Sequence, residues 1–123
     1  MKHSEGFLKL VDDVRGGIRE LSVEEAQKRL QANPNAKLID VREDNEWAVA
    51  HASGALHLGK GIIERDIEVT LPDKNTEIIL YCGGGYRSAL ATDALQRMGY
   101  RNVFSMAGGW RAWKESGGEI ETG

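Results

Sequence analysis

The sequence predicts a single α/β domain with a small, mostly parallel sheet and helices on both faces. Apolar runs of strand length alternate along the chain with amphipathic segments of helical spacing, the order that crossovers between parallel strands produce. The chain has 123 residues, of which 41% are hydrophobic and 28% are charged, an ordinary composition for one globular domain.

The first two helices follow from apolar spacing and from a capping signal. Apolar residues recur at helical spacing over residues 5–15, and a pair of glycines ends that pattern. Ser22 and Glu25 fit a capping box, so a second helix is predicted from there through Leu30.

The remaining elements alternate between strands and helices. Strands are predicted at residues 36–41, 55–58, 77–81 and 102–106. Helices are predicted at residues 43–50, 61–67, 89–98 and from about residue 110 onward. Ligands of such sheets bind outside the carboxyl ends of the strands, so the functional site is expected where these strands end.

The only cysteine lies at one of these strand ends. Cys82 directly follows the strand predicted at residues 77–81 and precedes three glycines, Gly83, Gly84 and Gly85. Glycines permit left-handed backbone angles that turn successive N–H groups inward, and such a nest binds anions. We therefore expect the loop to favour a thiolate at Cys82 and to bind an anionic substrate.

Three further residues complete the predicted anion site. Arg87 supplies a permanent positive charge with a planar fork of donors, and Ser88 is predicted to be the N-cap of the helix over residues 89–98. Tyr86 is expected to line the mouth of the pocket. A lone cysteine at a strand end is often only a small buried hydrophobe, but its combination with Arg87 and Ser88 favours a chemical function.

The spacing of Cys82, Gly85, Arg87 and Ser88 resembles the active-site loop of the rhodanese family of sulfurtransferases. Two flanking stretches support the resemblance, namely Leu38-Ile39-Asp40-Val41-Arg42 with Glu43, Glu46, Trp47, His51, Gly54 and Ala55, and Gly108-Gly109-Trp110 with Trp113 and Gly117. The resemblance covers about residues 18–120. It divides the chain into an N-terminal helical extension, residues 1–17, and a single rhodanese-like domain, residues 18–123.

The resemblance implies a parallel five-stranded sheet and a ping-pong reaction without a cofactor. By this resemblance, Cys82 is expected to take a sulfane sulfur from a donor such as thiosulfate, form a persulfide, and pass the sulfur to a thiol or to cyanide. The backbone N–H groups of residues 83–88 are expected to hold the terminal sulfur, and Arg87 to offset its charge. Asp40 and Arg42 are expected to form a buried ion pair that supports the loop, rather than to perform acid–base chemistry.

Two other classes of function stay open at this point. The loops of related dual-specificity phosphatases are one residue longer between cysteine and arginine, so the four residues between Cys82 and Arg87 predict a smaller cradle and disfavour phosphatase or arsenate reductase activity. A binding module without catalysis, or a relay that takes sulfur from or gives it to another protein, is the second alternative. The presence of both Cys82 and Arg87 disfavours a purely structural module.

Composition argues against several kinds of partner. The net charge of -3 gives no basic footprint for nucleic acid. One cysteine and three histidines, without zinc-ligand spacing, predict no metal site. No apolar run approaches the roughly 20 residues of a membrane span. Because a lone reactive thiol stays usable in a reducing compartment, a cytoplasmic location is expected.

Overall fold

Helices and strands alternate from Glu5 to Thr122, except that β4 directly follows β3, in the computed structural model, which describes residues 3–122. The helices are α1 Glu5–Arg15, α2 Val23–Ala32, α3 Asp44–Val49, α4 Ile63–Thr70, α5 Tyr86–Arg97 and α6 Gly109–Glu115. The strands are β1 Glu20–Leu21, β2 Lys37–Asp40, β3 Ala50–Ala52, β4 Leu56–His57, β5 Ile78–Tyr81, β6 Val103–Met106 and β7 Ile120–Thr122. Met1, Lys2 and Gly123, which the predicted extension and domain include, lie outside the described residues.

Five strands form one parallel sheet in the order β1-β6-β5-β2-β4, which confirms the predicted fold class. From β2 the chain passes outward to β4 and then returns to β5 on the other side of β2. The strand order therefore reverses between β2 and β5, and ligands of open α/β sheets bind at such a point. Cys82 directly follows β5, and Asp40 is the last residue of β2.

The sheet is covered on both faces, so side chains of the central strands alternate between two apolar clusters. Ile39 and Leu80 pack in one cluster with residues of α4 and α5. Leu38 and Ile79 pack in the other with residues of α2 and α6. Each fully buried aliphatic side chain of this kind contributes about 1.5–3 kcal/mol to folding. None of the helices between residues 3 and 122 is long and apolar enough to cross a membrane.

The N-terminal helix α1 packs against α5 of the same chain. Its Ser4 N-cap accepts a hydrogen bond from the Phe7 N–H, and Val11 is completely buried, whereas Leu10 stays 53% exposed. The helix predicted over residues 5–15 is therefore confirmed. It places its first residues next to the start of α5, where the cysteine loop ends.

Local differences from the predicted elements occur at helix ends and in short strands. The strands predicted at 36–41, 77–81 and 102–106 are confirmed with slightly shorter bounds. Ala50, predicted to end a helix, instead begins β3, which pairs antiparallel with β7 near the end of the chain. Because β1, β3 and β7 have only two or three residues each, they carry no periodic pattern from which they could be predicted.

Candidate active site

The sulfur of Cys82 lies inside a ring of backbone and hydroxyl groups at the carboxyl end of β5. Cys82 is only 1% exposed. The Gly85 N–H donates to its Sγ at 3.1 Å, and the Ser88 N–H does so at 3.4 Å. Two N–H donors aimed at one sulfur stabilise a thiolate or an anionic sulfur adduct more than a neutral thiol.

Among the glycines of the loop, Gly85 is the one that this geometry requires most. Gly85 has a φ of 98°, in the left-handed region, and is the N-cap of α5. Glycine enters that region at little cost, so the chain can turn directly from the loop into a helix that starts at Tyr86. The loop is therefore shorter than predicted, because Tyr86, Arg87 and Ser88 already form the first turn of α5.

The prediction that Ser88 is an N-cap is wrong, because Gly85 occupies that position. Ser88 is instead completely buried inside the first turn of α5. Its Oγ lies 3.6 Å from the Cys82 Sγ and 2.8 Å from the Ser105 Oγ of β6. The hydroxyl therefore links the cysteine to the neighbouring strand, while the backbone N–H of the same residue points at the sulfur.

A second glycine turn, at the start of α6, supports the loop from the other side. The Trp110 N–H donates to the Cys82 carbonyl oxygen at 2.6 Å, and the Arg111 N–H donates to that of Gly83 at 3.3 Å. Gly109 has a φ of 51°, and a Cβ atom there would overlap the Cys82 carbonyl. The close approach of the two backbones explains why a glycine follows β6 at this point.

Arg87 is held across the mouth of the site by an acidic partner. Its Nη1 donates to Glu46 Oε1 of α3 at 2.9 Å. The hydrogen bond from Arg87 lowers the pKa of Glu46, although burial opposes this effect. The same hydrogen bond raises the pKa of Arg87, and the charge of Cys82 adds to the increase. Arg87 is thus a fixed cation beside the sulfur, and the carboxylate of Glu46 balances part of its positive charge.

Asp40 and Arg42 form the buried ion pair expected from the sequence. The Nη2 of Arg42 lies 2.7 Å from Asp40 Oδ2 and also donates to the Ala50 carbonyl at 2.7 Å. The Tyr81 hydroxyl donates to Asp40 Oδ2 at 2.7 Å and accepts from the Ala52 N–H at 3.0 Å. Burial is the main cause that raises the pKa of Tyr81, so its proton stays in place. This network joins β2, β5 and β3, and none of its members lines the cavities next to Cys82.

Two cavities open on the cysteine loop, and Tyr86 lines both of them. The first, of about 580 Å³, contains Cys82 and two carboxylates; it is lined by His3, Ser4, Phe7, Glu43, Glu46, Cys82, Gly84, Tyr86 and Arg87. The second, of about 530 Å³, lies beside α6; it is lined by His3, Gly83, Gly84, Tyr86, Arg87, Gly108, Trp110, Arg111 and Lys114. Tyr86 is thus a lining residue of the cavity that contains Cys82 and of the cavity beside α6.

The N-terminal residues contact the loop through Tyr86. The rings of His3 and Phe7 lie 4.5 and 6.2 Å from the Tyr86 ring, centre to centre. The guanidinium carbon of Arg15 lies 5.2 Å from the centre of the same ring. The segment that was predicted to be an extension is therefore in direct contact with the site.

Several residues of the site were not predicted from the sequence. Glu46 and Ser105 reach the loop from other elements, and Arg111 and Lys114 reach it from α6. Glu46 was noted only in the stretch that supports the family resemblance. Ser105, Arg111 and Lys114 carry no local signal, because a hydroxyl on a strand or a cation on a helix is usually only solvated or bonded nearby. Phe7 was recognisable only as part of the apolar face of α1.

Comparison with known proteins supports this architecture. The family model of the rhodanese-like domain matches residues 22–116. The chain is 33% identical over 105 residues to the thiosulfate sulfurtransferase GlpE of Haemophilus influenzae, a match that covers 85% of this chain and 96% of the relative. It is 29% identical over 96 residues to YrkF of Bacillus subtilis, named as a putative sulfur carrier protein; the match covers 78% of this chain but only 51% of YrkF, so the chain spans about half of that relative.

Solved structures of other proteins share the fold of this chain. The polysulfide-sulfur transferase homodimer of Wolinella succinogenes superposes with a TM-score of 0.81 at 27% identity, over 94% of this chain and 87% of the other. RPA3614 of Rhodopseudomonas palustris superposes with a TM-score of 0.84 at 26% identity, over 98% of both chains. RPA3614 is a protein of unknown function whose description names tyrosine phosphatase as a candidate activity.

Proposed function

The chain belongs to the rhodanese-like domain family, and on that premise we propose that it is a sulfurtransferase whose sulfur is carried by Cys82. The observation that supports this most is the pair of N–H donors, from Gly85 and Ser88, directed at the cysteine sulfur. They favour negative charge both on the attacking thiolate and on the persulfide that it forms.

In the first half-reaction, the Cys82 thiolate attacks the outer sulfur of thiosulfate. A new sulfur–sulfur bond forms at Sγ, the bond between the two sulfurs of the donor breaks, and its electron pair leaves with sulfite. Charge is conserved, because a thiolate and a dianion become a persulfide anion and a dianion. In this step the positive charge of Arg87 attracts the donor and stabilises the departing sulfite.

The loop has further donors available for the terminal sulfur of the persulfide. The N–H groups of Gly83, Gly84, Tyr86 and Arg87 have no hydrogen-bond acceptor within residues 3–122. A buried sulfur anion at this place would satisfy such groups. The four residues between Cys82 and Arg87 thus form a cradle suited to one sulfur atom.

A second candidate function is a sulfur relay between proteins, which the likeness to a protein named as a sulfur carrier favours. A relay would use the same Cys82 persulfide with protein donors and acceptors. It differs from a thiosulfate enzyme in its substrates. In a relay, a persulfidated protein would load Cys82 much faster than thiosulfate does.

The test is the formation of thiocyanate from thiosulfate and cyanide by the wild-type chain and by Cys82→Ser. We expect turnover by the wild type and none by the variant, since a hydroxyl is a far weaker nucleophile than a thiolate. Hydrolysis of p-nitrophenyl phosphate is measured in parallel. Turnover of that ester without thiocyanate formation would contradict the proposal and favour a phosphatase.

A further inference from the structure

The cavity beside α6 differs in charge from the cavity that contains Cys82. We call it the basic cavity; its charged lining residues are Arg87, Arg111 and Lys114. None of its lining residues is acidic, whereas Glu43 and Glu46 line the other cavity. The chain as a whole has a net charge of -3, so this concentration of cations is a local feature.

Two of these cations are available to a ligand. Arg87 is paired with Glu46, but Arg111 and Lys114 form no ion pair with any residue between 3 and 122. Both are exposed at the cavity, and the Lys114 Nζ lies 5.5 Å from the centre of the Trp110 ring. An arginine fork and an ammonium group beside an indole face are suited to bind carboxylates on a partly apolar ligand.

Backbone hydrogen bonds fix the start of α6, the helix that carries Arg111 and Lys114, relative to the cysteine loop. The Trp110 N–H donates to the Cys82 carbonyl, and the Arg111 N–H donates to the Gly83 carbonyl. The guanidinium carbon of the buried Arg42 also lies 4.6 Å from the centre of the Trp110 ring. The basic cavity is therefore attached to the loop that holds the sulfur, and Gly84, Tyr86 and Arg87 line both cavities.

The size of the basic cavity indicates a ligand larger than the sulfur donor. Its volume of about 530 Å³ lies in the range of cavities that hold ligands of drug size. A thiosulfate ion would fill only a small part of it. A peptide-sized molecule that extends from the loop to α6 would contact both free cations.

We propose that the basic cavity binds the sulfur acceptor, and that this acceptor is a peptide-sized thiol with at least two carboxylates, bound by Arg111 and Lys114. The inference rests on the proposed function, since it names the acceptor of the Cys82 persulfide. The acceptor thiolate attacks the outer sulfur of the persulfide and forms a bond to it. The bond between that sulfur and Sγ breaks, its electron pair stays on Cys82 as thiolate, and the acceptor leaves as a persulfide.

The test separates the two half-reactions. Cys82 is loaded with thiosulfate, excess donor is removed, and the loss of the persulfide is followed by intact-protein mass spectrometry. Three thiols serve as probes: glutathione with two carboxylates, uncharged 2-mercaptoethanol and cationic cysteamine. For each thiol the rate for the variant is divided by the rate for the wild type, so that the intrinsic reactivity of the thiol cancels.

The informative variant is Arg111→Gln with Lys114→Gln. Its matched control is Lys28→Gln with Arg65→Gln, which removes the same charge from exposed positions that line neither cavity. We expect the site variant to react with glutathione about tenfold more slowly than the wild type does, because two exposed charge pairs with the carboxylates are lost. With 2-mercaptoethanol, which has no charge, the two rates should be about equal. The control should change none of the three ratios appreciably.

Charge reversal gives a second arm that does not depend on loss of activity. Arg111→Glu with Lys114→Glu should slow glutathione further and accelerate cysteamine. An equal change for all three thiols, no change, or an effect confined to the loading step with thiosulfate would overturn the inference. Failure of the proposed function is distinct, because the wild-type chain would then not form a persulfide at all.

Discussion

Among single residues, Gly109 is the one whose substitution should disturb the site most directly. Its φ of 51° and the overlap of a Cβ with the Cys82 carbonyl mean that alanine forces the α6 turn away from the loop. We expect Gly109→Ala to lower the free energy of unfolding by about 2 kcal/mol or more, measured by chemical denaturation.

Gly6 provides the matched control for that substitution. It lies in α1, a methyl group on its Cα would have no neighbouring atom within 4 Å, and its φ is not left-handed. Gly6→Ala should therefore leave stability unchanged or raise it by up to about 1 kcal/mol. Equal effects of the two substitutions would show that the α6 turn does not lie against Cys82.

The ion pair of Arg87 and Glu46 gives a pH-dependent prediction. The folded-state pKa of Glu46 lies below its ordinary value of 4.5, so between the two values the unfolded state binds more protons. The stabilisation is therefore present above about pH 5 and is lost as the pH falls through the lowered pKa. Both side chains are about one third exposed, so the contribution stays below about 1 kcal/mol.

Glu46→Gln tests that prediction with little other change, because the amide oxygen can still accept from the Glu43 N–H. The wild type should be more stable than the variant near pH 7, and the difference should shrink towards zero as the pH falls through the lowered pKa of Glu46. A difference that persists unchanged into acid would mean that the pair does not depend on the ionised carboxylate.

The chemistry of the loop was easier to predict from the sequence than its surroundings. Cys82 and the glycines were predictable, because a thiol followed by glycines between a strand and a helix is a local pattern. The N-cap assignment of Ser88 failed, since the left-handed angle of Gly85 starts the helix three residues earlier. The contacts of Glu46 and Ser105 with the loop could not be predicted, since they form only when elements that are distant in sequence fold together.

Among the elements, α1 contacts the site from outside the consecutive strand, loop and helix that form it, because its Phe7 and the preceding His3 lie against Tyr86. Its docking depends on Val11, which is completely buried, and not on Leu10, which is 53% exposed. We expect Val11→Ala to lower the free energy of unfolding by about 1–2 kcal/mol, and Leu10→Ala to change it by less than about 0.5 kcal/mol. Equal effects in denaturation experiments would contradict the packing of α1 on α5.

The buried network of Tyr81, Asp40 and Ala52 is the second inter-element feature with a measurable consequence. Tyr81→Phe removes a donor to Asp40 and leaves the Ala52 N–H without its acceptor. The expected loss is about 1–3 kcal/mol of unfolding free energy, since a buried polar group stays unsatisfied. Sulfur loading of the folded variant should be unchanged, because the network lines neither cavity. Loss of loading in a stably folded variant would instead give the network a direct role at the site.

For the whole molecule, the alternation of strands and helices was sufficient to predict a mostly parallel sheet with Cys82 at the carboxyl end of a strand, whereas the number of five strands came from the family resemblance. The strand order reverses between β2 and β5, and Cys82 follows β5 at that point. The antiparallel pair β3 and β7 could not be predicted, because it joins two short segments that are far apart in sequence. The difference in charge between the two cavities could not be predicted either, because their lining residues come together only in the folded chain.

The central claim, that Cys82 carries the transferred sulfur, is tested most directly by intact-protein mass spectrometry before and after incubation with thiosulfate. With a single cysteine in the chain, a sulfur adduct has one expected position. We expect a gain of one sulfur, about 32 mass units, that cyanide removes and that Cys82→Ser does not acquire. A folded wild-type chain that gains no sulfur from thiosulfate, polysulfide or a persulfidated protein, or a gain that persists in Cys82→Ser, would contradict the claim.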